Sequence, residues 1–118
     1  TKKSIMGALR QVHVAESDEQ AWTEAEPAYK SWITALNWLW VEHGTTASSN
    51  LAPDLKTGVD NGAVVIGSPE TVRSVLAEEA AETGANYFAL QFSFGTLTRE
   101  QVLRSIDLFA GEVMPALA

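Results

Sequence analysis

Two histidines are the side chains of this sequence best suited to acid–base chemistry or metal binding. His13 falls in a predicted strand and His43 at the end of a predicted helix. Thirty residues separate them and neither has flanking ligands, whereas a structural metal site gathers about four ligands. We interpret both as structural and predict no metal site. The acidic residues are spread along predicted helices, so the sequence identifies no catalytic acid or base.

Ser68 follows Gly67 and precedes Pro69 at the start of a predicted helix. A serine at this position accepts a hydrogen bond from the first helical turn, and proline suits the next position because its missing N–H would be unpaired there. A helix N-terminus is also a place where anions bind. Two interpretations stay open: a helix cap alone, or a contact of Gly67 and Ser68 with a phosphate-bearing ligand.

Gln91 and Ser93 interrupt an otherwise apolar strand, residues 86–94. In proteins built from βα units the active site lies at the carboxyl ends of the strands, where loops and helix N-termini converge. We predict that one or both of these polar side chains point into such a site or pair with a neighbour. Phe92 and Phe94 are candidates for the wall of an apolar pocket, with core packing as the alternative.

An alternation of strands and capped helices positions these candidate residues. Residues 10–44, 63–84 and 86–118 each contain an apolar strand followed by a helical pattern, which predicts an α/β fold of three βα units on a parallel sheet. Pro115 is predicted to close the final helix. The strand in residues 86–94 is predicted to be buried on both faces.

The first predicted helix contains Pro27 and four tryptophans. Proline removes a backbone donor, so we expect a kink or two abutting helices. Most of the tryptophans suit a core, with a substrate or subunit interface as the alternative, and Trp38 is expected to face outward. Residues 45–62, rich in glycine, serine, threonine, asparagine and proline, are predicted to form a long loop.

The composition argues against several classes of protein. The 118 residues are 46% hydrophobic, enough for one domain with a core. A net charge of −7 disfavours a nucleic-acid partner, and the absence of cysteine excludes disulfides. No apolar run is long enough to span a membrane. We therefore expect a soluble, cytoplasmic protein.

The carboxyl-terminal half resembles a known family. The resemblance rests on an ordered series with preserved spacings: Ile66-Gly67-Ser68-Pro69-Glu70, then Glu82-Thr83-Gly84 before a strand, then Ser105-Ile106-Asp107-Leu108-Phe109 and Glu112-Val113-Met114-Pro115. This series is similar to the carboxyl-terminal end of the bacterial luciferase-like, flavin-dependent monooxygenases. The resemblance is strongest over residues 66–117, weaker over 10–44 and absent over 45–62.

The resemblance implies a fold and a reaction. The fold is the carboxyl-terminal portion of a (β/α)8 TIM barrel. The family binds reduced FMN, which reacts with dioxygen and oxidises a small organic substrate, and a flavin reductase is an implied partner. A sister branch transfers hydride from a deazaflavin. Gly67, Ser68, Gln91 and Ser93 are then candidate cofactor contacts, while the family's catalytic residues belong to its amino-terminal half and match nothing here.

The sequence begins at Thr1 without an initiator methionine, which together with the partial resemblance suggests a piece of a longer protein. Such a piece is expected to be inactive alone. Its unpaired strand edges predict a homo-oligomer. The alternative function is a catalytically empty half-barrel that serves as a binding or oligomerisation module. An antiparallel, ferredoxin-like fold is disfavoured because the sequence lacks hairpin turns.

Overall fold

The computed structural model describes residues 3–45 and 51–117. The elements follow one another in the order β1 (Gly7–Val14), α1 (Asp18–Glu42), α2 (Leu55–Asp60), β2 (Val64–Gly67), α3 (Pro69–Thr83), β3 (Tyr87–Gln91), α4 (Arg99–Leu108), a π-helical turn (Phe109–Val113) and α5 (Met114–Leu117).

The three strands form one parallel sheet in the order β2-β1-β3. β1 pairs with β2 over Gln11–Val14 and with β3 over Gly7–Gln11. The α/β class and the three parallel βα units predicted from the sequence are confirmed. The strand order is a new observation: the strand that comes first in the chain is the central one, so both later strands return to it.

The helix boundaries follow from local capping. The side chains of Ser17, Ser68 and Thr98 each accept a hydrogen bond from a backbone N–H in the first turn of the helix that follows. Thr98 and Gln101 form a reciprocal capping box. Gly84 ends α3 in the left-handed conformation, with φ of 74°. These local predictions are confirmed.

Two apolar clusters lie on opposite faces of the sheet, because successive side chains of a strand alternate between faces. One cluster packs α1 against the sheet and includes Ala15, Tyr29 and Ile66. The other packs α3 and the carboxyl-terminal helix against the sheet, through Val14 and Val113 among others. β1 thus contributes to both layers.

Residues 18–42 form one continuous helix, so of the two alternatives predicted at Pro27 the two abutting helices are wrong, and the kink stays a prediction. Ala25 and Ala28 are buried on either side of the proline, and their packing holds both halves against the same core. Trp38 is 61% exposed, which confirms its predicted outward position. Trp22 and Trp32 pack against the first cluster.

The predicted long loop, residues 45–62, contains the short helix α2. Asp54 caps it by accepting a hydrogen bond from the Thr57 N–H at 2.8 Å, and Leu55 is buried. Tyr29 donates its hydroxyl hydrogen to the Ala52 carbonyl at 2.7 Å, which fastens this segment to α1. Residues 46–50 lie outside the described part of the chain.

β3 is shorter than predicted and is not buried on both faces. It spans Tyr87–Gln91 with alternating exposed and half-buried residues. Tyr87 is 59% exposed and Leu9, on the neighbouring strand, 67%. The reason is that α1 covers only the carboxyl end of its face of the sheet.

Pro115 does not close the final helix, which continues to Leu117. A π-helical turn precedes the proline, and there Met114 donates its N–H to the Phe109 carbonyl five residues back. Such a wide turn relieves the clash between the proline ring and the carbonyl four residues before it.

Candidate functional site

Ionisable side chains from three elements meet near the carboxyl end of β1. His13 of β1 is fully buried, and its Nε2 lies 2.9 Å from Oε1 of Glu24 on α1. Arg104 of α4 donates to the same carboxylate oxygen. Glu24 therefore joins a buried imidazole and a guanidinium across two helices and the central strand.

Burial of His13 favours the neutral form of its imidazole. Burial lowers the pKa of His13 below its ordinary value, and the nearby Arg104 acts in the same direction, while the bond to Glu24 offsets part of this effect. Because Glu24 accepts the bond, the proton of the neutral ring lies on Nε2. Nδ1 is buried and has no partner within residues 3–45 and 51–117. In its neutral form the ring is therefore held in one tautomer, with Nδ1 unprotonated.

This burial predicts a pH-dependent stability. An unfolded chain protonates His13 near its ordinary pKa of 6.5, whereas the folded chain does so only at lower pH. The unfolded state thus binds more protons, so the free energy of unfolding should fall as the pH drops below about 6.5. Urea unfolding between about pH 5.5 and 8 measures the slope, above the ordinary range of carboxyl groups.

His13→Gln is expected to flatten that slope. His43→Gln is the matched control, because His43 is exposed at the end of α1. An unchanged slope in His13→Gln would show that other groups cause the pH dependence.

At the predicted phosphate site, a carboxylate of the chain itself meets the helix. The Ser68 N–H donates to Oδ1 of Asp18 at 2.7 Å, and the Ser68 hydroxyl accepts from the Thr71 N–H. The bond from the Ser68 backbone lowers the pKa of Asp18. A Cβ on Gly67 would lie 2.8 Å from the same carboxylate oxygen, so the glycine makes room for Asp18. The cap predicted for Ser68 is present, and the anion at α3 is Asp18.

Gln91 and Ser93 lie at the carboxyl end of β3. Gln91 is half-buried and donates from its amide to the Ser93 carbonyl at 3.2 Å. Gln91 is level with Gln11 of β1 in the sheet register, which puts both amides on one face. The side-chain nitrogen of Gln11 is buried and has no partner in the described residues. The structure therefore adds Gln11 to the two predicted polar residues.

Phe92 and Phe94 are not brought together. Phe92 packs edge-on against Phe109, with ring centroids 5.3 Å apart, in the cluster below α3. Phe94 is buried in the cluster below α1, on the other face of the sheet. Both rings thus take the core-packing alternative, and they do not form a common wall in the described structure.

In residues 3–45 and 51–117, no group of three or more histidine, aspartate or glutamate side chains is arranged to hold a metal ion. Among the helices described in these ranges, none combines the length and apolar character that crossing a membrane requires.

The sequence matches no established family description. It is 30% identical over 111 residues to the uncharacterized protein y4wF of Sinorhizobium fredii (strain NBRC 101917 / NGR234). The match covers 94% of this chain and 32% of y4wF. The chain thus spans about a third of the length of this relative.

Two solved structures share the fold. Monooxygenase RslO1 from Streptomyces bottropensis superimposes with a TM-score of 0.75 at 20% identity, over 95% of this chain and 31% of that protein. The oxygenating constituent of 3,6-diketocamphane monooxygenase from Pseudomonas putida, a type II Baeyer–Villiger monooxygenase in complex with FMN, gives 0.67 at 21% identity, over 95% and 33%. At these identities the likeness shows the fold: three βα units of the predicted barrel.

Proposed function

We propose that this chain is part of a luciferase-like, flavin-dependent monooxygenase that uses reduced FMN and dioxygen to oxidise a small organic substrate. The observation that carries the proposal is the likeness to two monooxygenases over 95% of the chain, one of them an FMN complex. The ordered motifs between Ile66 and Pro115 support the same assignment. A deazaflavin-dependent hydride transferase is the variant of this proposal. A cytoplasmic flavin reductase is the proposed source of reduced flavin.

The side-chain amides of Gln11 and Gln91 are placed where they can hydrogen-bond part of a flavin ring. Gln11 carries a buried amide nitrogen without a partner in the described residues, next to the half-buried Gln91. Their amides can donate to the polar edge of a flavin ring. The Gly67–Ser68 turn fits less well, because the charge of Asp18 already occupies the N-terminus of α3. A flavin phosphate would have to displace that carboxylate.

The exposed face of the sheet indicates that this chain holds only part of the proposed flavin site. Leu9, Tyr87 and Ala89 are exposed on the face that α1 leaves open. In a closed βα barrel one face of every strand is interior. The proposed oxidation therefore requires the rest of the barrel, and the 118 residues alone are expected to lack activity.

Flavin binding by the intact protein tests the proposal. The denatured mass of the protein, compared with 12.7 kDa, first establishes what the preparation contains. That protein is then titrated under anaerobic conditions with FMN, reduced FMN and a deazaflavin, following flavin fluorescence. Binding of reduced FMN, with dioxygen consumption that increases on adding aldehydes or ketones, would support the monooxygenase. A longer protein that binds none of the three flavins would contradict it.

Asp18→Asn separates the two interpretations of Ser68. The variant keeps an acceptor for the Ser68 N–H but removes the negative charge that opposes a phosphate. If Gly67 and Ser68 contact the flavin phosphate, Asp18→Asn should bind FMN more tightly while riboflavin, which lacks the phosphate, binds as before. Asp107→Asn, an exposed aspartate on α4, is the control. Equal FMN affinity in wild type and Asp18→Asn would leave Ser68 as a cap.

A binding or oligomerisation module is the second candidate. The open sheet face and the free edge of β3 favour it, because exposed strand edges invite association. A chain of 12.7 kDa that forms defined oligomers in light scattering, with no affinity for flavins, would support this module over the monooxygenase.

A further inference from the structure

Two buried nitrogen atoms on one face of β1 have no hydrogen-bond partner in the part of the chain that the structure describes. They are the side-chain amide nitrogen of Gln11, which is a donor, and Nδ1 of His13. The two residues are two positions apart on the strand, so their side chains lie on the same face of the sheet. Ala15, two positions further, packs in the cluster below α1, which identifies this face as the one that α1 covers in part.

Nδ1 of His13 is an acceptor because Glu24 sets the tautomer of the neutral ring. Nε2 of His13 lies 2.9 Å from Oε1 of Glu24, and an ionised carboxylate accepts hydrogen bonds without donating any, so the ring proton lies on Nε2. Arg104 donates to the same carboxylate oxygen, which holds Glu24 in place. A buried polar atom without a partner costs free energy. The unpaired donor of Gln11 and the unpaired acceptor of His13 thus both gain by binding a complementary group.

The two residues lie where the cover of α1 begins. His13 is fully buried, whereas Leu9 is 67% exposed on the same face of the same strand. Gln11 lies between them and is half-buried, and Gln91 of β3 is level with Gln11 in the sheet register. At positions 7, 9 and 11 of β1 and 87, 89 and 91 of β3, this face carries no charged side chain. A group recognised here is therefore neutral and approaches from the open side of the face.

We infer that Gln11 and His13 bind the imide edge of the flavin ring, an inference that rests on the function proposed above. This edge has an N–H group next to a carbonyl group. The Gln11 amide donates to the carbonyl oxygen, and the imide N–H donates to Nδ1 of His13, so one ligand edge satisfies both unpaired atoms. FMN and deazaflavins share this edge, so the contact is the same for either cofactor.

Gln91 is the side chain that moves when the flavin binds. Both unpaired nitrogen atoms are closed to solvent in the described residues, so a neighbouring side chain has to turn aside before a ligand reaches them. Gln91 is next to Gln11 on the open side, and its amide donates to the Ser93 carbonyl at 3.2 Å. This single neutral bond contributes about 1 kcal/mol, which the new bonds to the flavin offset.

A methyl group on the ligand tests the contact with His13. In 3-methyl-FMN a methyl group replaces the imide hydrogen, and the rest of the molecule is that of FMN. The intact protein is titrated with FMN and with 3-methyl-FMN, each in the oxidised and the reduced form. The dissociation constant should be at least about tenfold higher for the methylated flavin. Equal affinities would overturn this inference and leave the proposed function standing, whereas no affinity for any flavin would overturn both.

The ¹⁵N resonance of Nδ1 reports the same contact without a substitution in the protein. An unprotonated imidazole nitrogen that begins to accept a hydrogen bond shifts toward the frequency of a protonated nitrogen. Saturation with FMN should therefore shift Nδ1 of His13, while Nε2 keeps its bond to Glu24. The exposed His43 is the internal control and should not shift. A purely structural His13 would keep its Nδ1 resonance unchanged at saturating FMN, and that result would overturn the inference.

Gln11→Leu removes the donor and keeps a side chain of similar size. The dissociation constant for FMN should rise roughly threefold to tenfold, the value of one hydrogen bond. Asn37→Leu is the matched control, because Asn37 also has a buried side-chain atom without a partner in the described residues but lies toward the far end of α1. It should leave FMN affinity unchanged. Equal FMN affinity in Gln11→Leu and wild type would exclude Gln11 from the contact and overturn the paired recognition.

Discussion

Replacing Gly95 with alanine is expected to lower the free energy of unfolding by about 3–5 kcal/mol. Gly95 has φ of 58°, in the left-handed region. A Cβ at this position would lie 1.8 Å from the carbonyl oxygen of Ala28, an atom of the α1 backbone. Neither group is a flexible side-chain end, so the loop after β3 must move away from α1. Urea unfolding followed by circular dichroism measures the loss.

Gly84→Ala is the matched control for Gly95→Ala. Gly84 has φ of 74°, but a Cβ there would meet nothing within 4 Å. It should therefore cost only the conformational strain of a left-handed alanine, about 1–2 kcal/mol. Equal losses of unfolding free energy in the two variants would show that the loop moves away from α1 at no cost. That result would contradict the close contact between Gly95 and Ala28.

Replacing Glu24 with alanine is expected to cost about 2–4 kcal/mol. The substitution leaves the buried Nε2 of His13 without an acceptor and Arg104 without its counter-charge. A buried donor without an acceptor costs its full desolvation, so the loss should exceed the value of one hydrogen bond. The loss is measured as the change in the free energy of urea unfolding at neutral pH.

Glu26→Ala separates this effect from helix propensity. Glu26 lies on the same helix but is exposed, and its replacement should change the free energy of unfolding by less than about 0.5 kcal/mol. A double-mutant cycle with Arg104→Ala then measures the coupling. If Glu24→Ala were as mild as Glu26→Ala, the three side chains would not form a stabilising network.

Local rules predicted the caps because the residues that make a cap are three positions apart. Ser17, Ser68 and Thr98 each bond within their own first turn, and no distant residue is needed. The strand of residues 86–94 shows the limit of such rules. Its apolar composition predicted burial on both faces, but burial depends on which helix covers each face, and α1 covers only one end.

The sequence did not predict the network of His13, Glu24 and Arg104, because its members are far apart in sequence. Glu24 and Arg104 are 80 positions apart, and only the folded sheet brings them together. One signal was present: Glu24 lies one turn from Ala21 and Ala28, on the buried side of α1, where an acidic residue requires a partner. The helix α2 was obscured by Gly58, a poor helix former. That glycine is required because a Cβ there would lie 2.8 Å from a methyl group of Val64.

The central position of β1 also bears on how the chain folds. β1 is synthesised first, but β2 begins 50 residues after β1 ends, and at the other edge Met6 bonds to Asn86 across 80 positions. Contacts between residues so far apart in sequence form only after a long loop has closed, and the entropy cost of that closure slows folding. Nascent β1 therefore emerges before either of the two strands that pair with it in the described structure, and substitutions that weaken it should slow refolding more than those in the self-capped helix α3. Refolding is completed only when the last strand reaches the first.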